Sequence, residues 1–389
     1  MVRRLLAVQG PIQFIAGYLA MAWFAQATRS GQASETVLLM YDFLMPADME
    51  PEFVNVIGQL AKPFPWHSTV FLDADAMAEI VKGSHPRRYQ KLYKALGFDT
   101  FDEIIIGRDF CGEGNPLILN AYPQAKRIVY GDAMGIVGNE GVTDGFDWRS
   151  PLRSLAYLGR DLALRAWHGQ YSKMKFDAAV LTLPIDWSGS YLDTIPLLVP
   201  PREFVVEQIT AMADSIQALH DYAARLINSE EDNHLVLLSN LSASGLLSPK
   251  NEVALYVDIV TTTVPKGATV LLKPHPRGAR DVLNEVVGIL GEDYKVIAID
   301  DQAFSGFPIE LWACFIRHCN KIVPVYSASA YQIKYIYGKD VILTLDEARI
   351  SRYMYADKAG LIAKGNRSIT DAVARVGTWD GRSPLWKGC

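Results

Sequence analysis

His275 stands between two prolines, with Lys273 two positions before it and Arg277 two after, in the stretch Ala-Thr-Val-Leu-Leu-Lys-Pro-His-Pro-Arg at 268–277. An imidazole is the side chain whose ordinary pKa lies nearest neutrality, so it can hold or give a proton under mild conditions. The flanking cations suit a phosphate-bearing ligand. A residue before proline is pushed toward extended geometry, so neither Lys273 nor His275 can begin a helix. The apolar run Val270–Leu272 reads as a short buried strand that Pro274 and Pro276 end abruptly. The stretch therefore predicts a stiff loop holding a histidine at the carboxyl end of a strand, the edge where open α/β sheets bind ligands. Ser84-His85-Pro86-Arg87 repeats the His-Pro-Arg tripeptide with no strand before it. Strand context, not the tripeptide, carries the reading.

Other residues of the same kind sit at similar junctions. Val325-Tyr326-Ser327-Ala328-Ser329 follows a strand and opens a helix, where Ser327 and Ser329 could cap amides or surround a phosphate. Asp132, in Tyr130-Gly131-Asp132-Ala133-Met134-Gly135, follows a strand and could act as a base toward a hydroxyl or merely serve a turn. The loop from Gly107 to Asn115 lies at the same edge and carries Asp109 and Glu113. Gly10-Pro11-Ile12-Gln13 joins the first strand to the first helix. Proline suits a first helical turn there, and glycine lets a ligand approach the backbone closely. Glu310, in Phe307-Pro308-Ile309-Glu310-Leu311, repeats that logic and could bind ribose hydroxyls or favour the helix dipole. Asp73-Ala74-Asp75 after a strand could hold a divalent metal on a diphosphate, or serve as the acids of a helix start.

The elements that must position these groups alternate. Strand-like runs are Leu5–Val8, Thr36–Tyr41, Ser68–Leu72, Glu103–Ile106, Arg127–Tyr130 and Ala178–Leu183, with helical patterns Ile12–Gln26, Pro51–Leu60 and Tyr89–Leu96 among them. A proline-bearing connection, Leu183 to Pro201, leads to one long amphipathic helix over Phe204–Ile227. The alternation restarts with strands His234–Ser239, Thr269–Leu272, Tyr294–Ile299, Lys321–Val325 and Val341–Leu343. Helices Glu252–Val264, Ala279–Leu290, Ile309–Arg317 and Ala328–Tyr337 separate them. Strands alternating with helices predict parallel sheets covered on both faces. The expected architecture is α/β, with two Rossmann-like domains at 1–200 and 201–389 and their sheets facing a central cleft.

Composition sets the outer bounds. A chain of 389 residues that is 50% hydrophobic and 21% charged is long enough for about two cored domains. The net charge of −5 argues against general nucleic-acid binding. Cys111, Cys314, Cys319 and Cys389 show no zinc spacing and read as reduced thiols of a cytoplasmic protein. The run to Phe24 imitates a signal peptide, but Gln9-Gly10-Pro11 and Gln13 break it. No run reaches the roughly 18 apolar residues of a membrane span, which leaves at most peripheral contact at the inner face of a membrane.

These residues together resemble the bacterial sialyltransferases and polysialyltransferases of GT-B fold. His275-Pro276 matches the family's His-Pro motif, Ser327-Ala328-Ser329 its hydroxyl motif, Gly131-Asp132-Ala133 its acidic motif and Pro11-Ile12-Gln13 its opening Pro-X-Gln. The Ile106-Gly107 strand end is similar as well. Gly131 replaces the first acidic residue, Ala133 the motif glycine, and Ala328 interrupts the serine pair. The resemblance implies inverting, metal-independent transfer of a nonulosonic acid, such as sialic acid, from a CMP-activated donor to a glycan hydroxyl, with no cofactor. It implies Asp132 as base, His275 assisting the leaving phosphate, and Ser327 and Ser329 holding it. Lys273, Pro276, Arg277 and Glu310 would then line the nucleotide side, and Gln13, Gly107 and Glu113 the acceptor side. Two alternatives remain: a Kdo transferase or other GT-B enzyme with a UDP- or CDP-linked donor, and a nucleotide- or glycan-binding subunit without turnover. Oligomeric state is not legible in these residues.

Overall fold

The computed structural model describes residues 1–28, 33–41, 50–84, 86–107, 114–131, 176–183, 195–227 and 231–376. The chain divides into two compact units, one spanning Met1–Pro201 and one beginning at Arg202.

The first unit contains β1 (Val2–Val8), α1 (Pro11–Ala27), β2 (Ser34–Tyr41), α2 (Glu50–Ala61), β3 (Ser68–Leu72), α3 (Ala74–Val81) and α4 (Arg87–Leu96). It continues through β4 (Glu103–Gly107), α5 (Gly114–Ala121), β5 (Lys126–Gly131), β6 (Ala178–Leu181) and β7 (Leu197–Leu198). Its strands pair in the order β3-β2-β1-β4-β5-β6-β7, parallel throughout. Leu5, Leu6, Leu38, Ile105 and Val129 are fully buried, which is why these strands read as unbroken apolar runs rather than alternating ones. The order reverses at β1 and β4, so the loops after those two strands border the crevice where such sheets take ligands.

The second unit repeats the plan on a smaller scale. After α6 (Arg202–Asp214) and α7 (Gln217–Leu226) come β8 (Asn233–Leu237), α8 (Pro249–Thr263), β9 (Thr269–Lys273), α9 (Arg280–Leu290) and β10 (Lys295–Ala298). Then follow α10 (Gln302–Ser305), a 3-10 turn (Ile309–Leu311), α11 (Ala313–Arg317), β11 (Lys321–Pro324), α12 (Ser329–Tyr337), α13 (Glu347–Tyr353) and α14 (Ala356–Arg375). The sheet order is β10-β9-β8-β11, again all parallel. Val236, Val270, Leu272 and Val323 meet Ile259, Val286 and Ile362 from the helices in one buried core. The α/β architecture of two Rossmann-like units is the one the periodicity predicts.

Four details differ from the sequence reading. The helix expected over Phe204–Ile227 is two, because the Ser215 hydroxyl donates to the Met212 carbonyl at 2.6 Å and Ile216 turns out of helical geometry at φ −112°, ψ 69°. That turn buries the Ile216 side chain. The helix expected over Ile309–Arg317 breaks at Trp312, which leaves helical geometry at φ −93°, ψ 48° and is itself buried. Val341–Leu343 forms a single bridge to Ile322, not a strand. There the chain turns away so that Leu345 enters the core and the Thr344 carbonyl accepts from Arg349. Finally, α13 and α14 were not read from the sequence at all. Asp346 caps α13 by accepting from the Arg349 amide at 2.8 Å.

No helix among the described residues is long and apolar enough to cross a membrane. Asp73 is the N-cap of α3, its carboxylate accepting from the Ala76 amide at 2.7 Å, which is the helix-start role open to Asp73-Ala74-Asp75. Cys314 and Cys319 are free, and burial pushes the Cys319 thiol up to about 12. Cys111 and Cys389 lie outside the described residues.

Candidate functional site

In the second unit, β8 lies between β9 and β11, so the loops that follow these three strands leave the sheet side by side. The Leu238 amide donates to the Lys273 carbonyl at 3.0 Å, and the Val325 amide to the Leu237 carbonyl at 2.9 Å. These bonds extend the parallel pairing one residue past the strands. The His-Pro loop, the loop after β8 and the serine loop are thereby brought to one edge.

The His-Pro loop closes into a tight turn, with the Gly278 amide bonded to the His275 carbonyl at 2.8 Å. A side chain at Gly278 would place its Cβ 3.0 Å from that carbonyl oxygen and 3.8 Å from the Ser239 carbonyl oxygen. The tight approach is to the turn's own carbonyl, which is where glycine suits the turn, while that to Ser239 is ordinary contact. The Arg277 amide donates to His275 Nδ1 at 3.1 Å. That bond requires an unprotonated Nδ1, so the neutral ring carries its proton on Nε2. The ring is half-buried. Burial first, then the charges of Arg277 and Lys273, lower its pKa from 6.5 to about 4. The sequence led us to expect a solvent-facing histidine titrating near neutrality. The structure gives instead a neutral imidazole with one N–H to donate.

Lys273 is only 6% exposed, and its ammonium donates to the Ser305 carbonyl at 3.0 Å while lying 5.7 Å from the centre of the Trp312 ring. It ties the end of β9 to the segment leading to Glu310. Glu310 is buried in the 3-10 turn, and its carbonyl accepts from the Tyr337 hydroxyl at the far end of α12. Arg202 closes that end of the helix, donating from Nε to the Tyr335 carbonyl at 2.6 Å and from Nη2 to the Ile336 carbonyl at 3.0 Å. The segments carrying Lys273, Glu310 and Ser329 are thus joined by side-chain bonds to backbone. Pro276 is half-buried and Arg277 exposed.

The serine loop begins with a strained residue. Tyr326 has φ 53°, the left-handed region that costs a non-glycine residue roughly 1–2 kcal/mol. Its ring reaches α14 at Gly365, where an added Cβ would come 2.2 Å from the phenol oxygen. Ser327 Oγ accepts from the Ser329 amide at 3.3 Å, which leaves its own proton available to a ligand. If this loop holds a nucleotide phosphate, replacing both Ser327 and Ser329 by alanine should weaken its binding by about 1–3 kcal/mol, the scale of hydrogen bonds to a charged group. Calorimetry with CMP checks this. Unchanged affinity with a lower thermal midpoint would reduce the pair to a helix cap.

In the first unit, Gly107 ends β4, and its carbonyl accepts from Asn115 Nδ2 at 2.6 Å. The Asn115 oxygen in turn accepts from the Tyr41 hydroxyl at the end of β2. Gln13 Oε1 accepts from the Gln9 amide at 2.8 Å, holding the turn between β1 and α1. Gln13 and Gly107 therefore flank the reversal point of the first sheet. Asn115 and Tyr41 carry no motif signal, and only the register of the strands shows that they meet. Asp132, Glu113, Asp109 and His85 lie outside the described residues.

Two parallel, helix-flanked units in one chain, with candidate phosphate loops at the carboxyl edge of the second, are the arrangement of the GT-B fold class. More narrowly, residues 191–345 match the family model Alpha-2,8-polysialyltransferase (POLYST), a span that holds His275, Glu310, Ser327 and Ser329. No curated protein matches the chain. Similar solved structures include the UDP-GlcNAc 2-epimerase of Methanocaldococcus jannaschii, at 12% identity and TM-score 0.45, covering 100% of this chain and 96% of that one. The UDP-GlcNAc 2-epimerase of Neisseria meningitidis bound to UDP-GlcNAc is similar at 10% identity and TM-score 0.48, covering 96% and 94%. A spinosyn rhamnosyltransferase complexed with thymidine diphosphate is similar at 11% identity and TM-score 0.46, covering 97% of each chain.

Proposed function

We propose that the protein is an inverting, metal-independent glycosyltransferase that moves a nonulosonic acid of the sialic acid kind from a CMP-linked donor to a glycan hydroxyl. The observation that carries this reading is the placing of His275, Ser327 and Ser329 at one sheet edge, on the loops that flank the loop after β8, within the span matched by the polysialyltransferase model.

In this reading the bond from the sugar's anomeric carbon to the phosphate oxygen breaks as the acceptor oxygen attacks the opposite face. The leaving group is a nucleoside monophosphate, whose second pKa is about 6 by analogy with phosphoserine. His275 donates its Nε2–H to the departing phosphate. The Ser327 and Ser329 hydroxyls and Arg277 share its charge. Lys273 and Pro276 fix the loop, and Glu310 sets the turn on the nucleoside side. Asp132 accepts the acceptor's proton, which is lost late as the new bond forms, so an ordinary carboxylate suffices. Gln13, Gly107 and Glu113 belong to the acceptor side.

CMP, UDP and CDP compared for protection against thermal unfolding test the donor class. CMP should raise the midpoint and the other two should not. Release of CMP from CMP-sialic acid should persist in a chelator. Protection by UDP with CMP silent would move the chain to a UDP-linked donor. Protection by CMP without release, with or without acceptor, would make it a binding subunit.

A further inference from the structure

The second sheet reverses its strand order between β8 and β11, since β9 and β10 extend on one side of β8 and β11 lies on the other. The crevice outside the carboxyl ends opens at such a reversal. Its two borders are the serine loop after β11 and the loop Leu238–Ser242 after β8. The second border carries no motif and stands nearer the reversal than His275 does.

That loop is held from beneath by a buried carboxylate. Glu252 on α8 is 2% exposed. Its Oε1 accepts from the Leu241 amide at 3.0 Å and the Tyr256 hydroxyl at 2.7 Å. Its Oε2 accepts from the Ser242 amide at 3.0 Å and from the Ser242 hydroxyl. A buried carboxylate is retained where several donors satisfy it, and here the donors come from one short loop and its neighbour. The Tyr256 hydroxyl also accepts from the Ser239 amide at 3.0 Å. The backbone of residues 239–242 is thus fixed. The half-buried Ser239 hydroxyl and Asn240 carboxamide form no side-chain hydrogen bond with another described residue.

We propose that Ser239 and Asn240 form a further wall of the donor site, hydrogen-bonding an anionic oxygen of the nucleotide sugar, and that Glu252 is the positioning residue that sets this loop. The inference rests on the CMP-sugar reading above. An anionic oxygen can come from the phosphate or from the sugar's carboxylate, and the two probes CMP and CMP-sialic acid separate these sources.

Asn240→Ala should lower affinity by about tenfold or more, the scale of a lost hydrogen bond to a charged group. An equal loss for both probes assigns the phosphate, and a loss confined to CMP-sialic acid assigns the carboxylate. Glu252→Gln keeps the side chain's length but turns an N–H₂ toward the Ser242 donors, so affinity should fall again. Adding Asn240→Ala to it should then cost little more, because the loop has already lost its shape. Fully additive losses would make Glu252 a general stabiliser and overturn its positioning role. If Glu252→Gln does not fold, Tyr256→Phe removes one donor, keeps the carboxylate and should weaken CMP several-fold. Wild-type binding with Asn240→Ala unchanged for both probes overturns this inference and leaves the donor reading standing. No wild-type binding of either probe overturns both.

Discussion

Transfer by His275→Ala should fall by about 10²-fold or more, the usual worth of one preorganised hydrogen-bond donor aimed at developing charge, while the fold survives. The ring is half-buried at a loop and makes one described hydrogen bond of its own, from the Arg277 amide to Nδ1. His275→Gln sharpens the test, because glutamine offers an N–H near the place of Nε2 yet cannot titrate. It should retain more CMP affinity than alanine does. Equal loss of affinity in the two variants would remove the neutral N–H donor from the mechanism. His85→Ala, in the tripeptide without a preceding strand, should change little, and a loss equal to that of His275→Ala would undo the argument from strand context. The pH dependence has a definite sign. With a folded pKa of about 4 against 6.5, the unfolded chain binds more protons at His275 in that interval. Its contribution to stability is therefore whole above pH 6.5 and drains away as pH falls toward 4. His275→Gln should unfold less readily than the wild type near pH 4.5, relative to their difference at pH 7.5.

Asp132→Asn should leave donor affinity nearly intact and lower turnover by about 10²-fold or more. Asparagine keeps the shape of aspartate and its ability to cap a helix, but it cannot take a proton from the acceptor. A base role and a cap role are thereby separated, where alanine would confuse them. Transfer to acceptor and hydrolysis of donor should be measured side by side. Near-normal transfer would send the search to Glu113 and Asp109, which follow Gly107 in the sequence.

The apolar runs of the inner strands translate almost directly into strands because both faces of the sheet are covered there, so no polar alternation dilutes them. The edge strand β3 instead exposes alternate residues. Ser68–Leu72 begins and ends where expected, Leu5–Val8 misses the start of its strand at Val2, and Lys321–Val325 overruns the end of its strand at Pro324. What was illegible depends on contacts that sequence spacing does not encode. Ile216 and Trp312 leave helical geometry for the sake of burial. The charge of Lys273 was read as facing a ligand, and the structure adds that one of its N–H groups donates to the Ser305 carbonyl. His275 was legible as a type and a place. Its protonation state was not, since that follows from burial and from one backbone N–H. Asn240 and Glu252 carry no pattern, and only the strand order brings them to attention.

Gly365 lies on a half-exposed stretch of a long helix, where exchanging glycine for alanine usually stabilises a protein by about 0.4–1 kcal/mol. Here that gain is offset by a close approach. A methyl group at Gly365 meets the Tyr326 phenol, so the ring has to swing aside, at the residue whose backbone is left-handed. The serines that follow would then drift from the positions that suit a phosphate. A helix with no residue among the candidate ligand contacts thus touches the serine loop through one phenol ring, and an apparently harmless improvement at position 365 would be felt there.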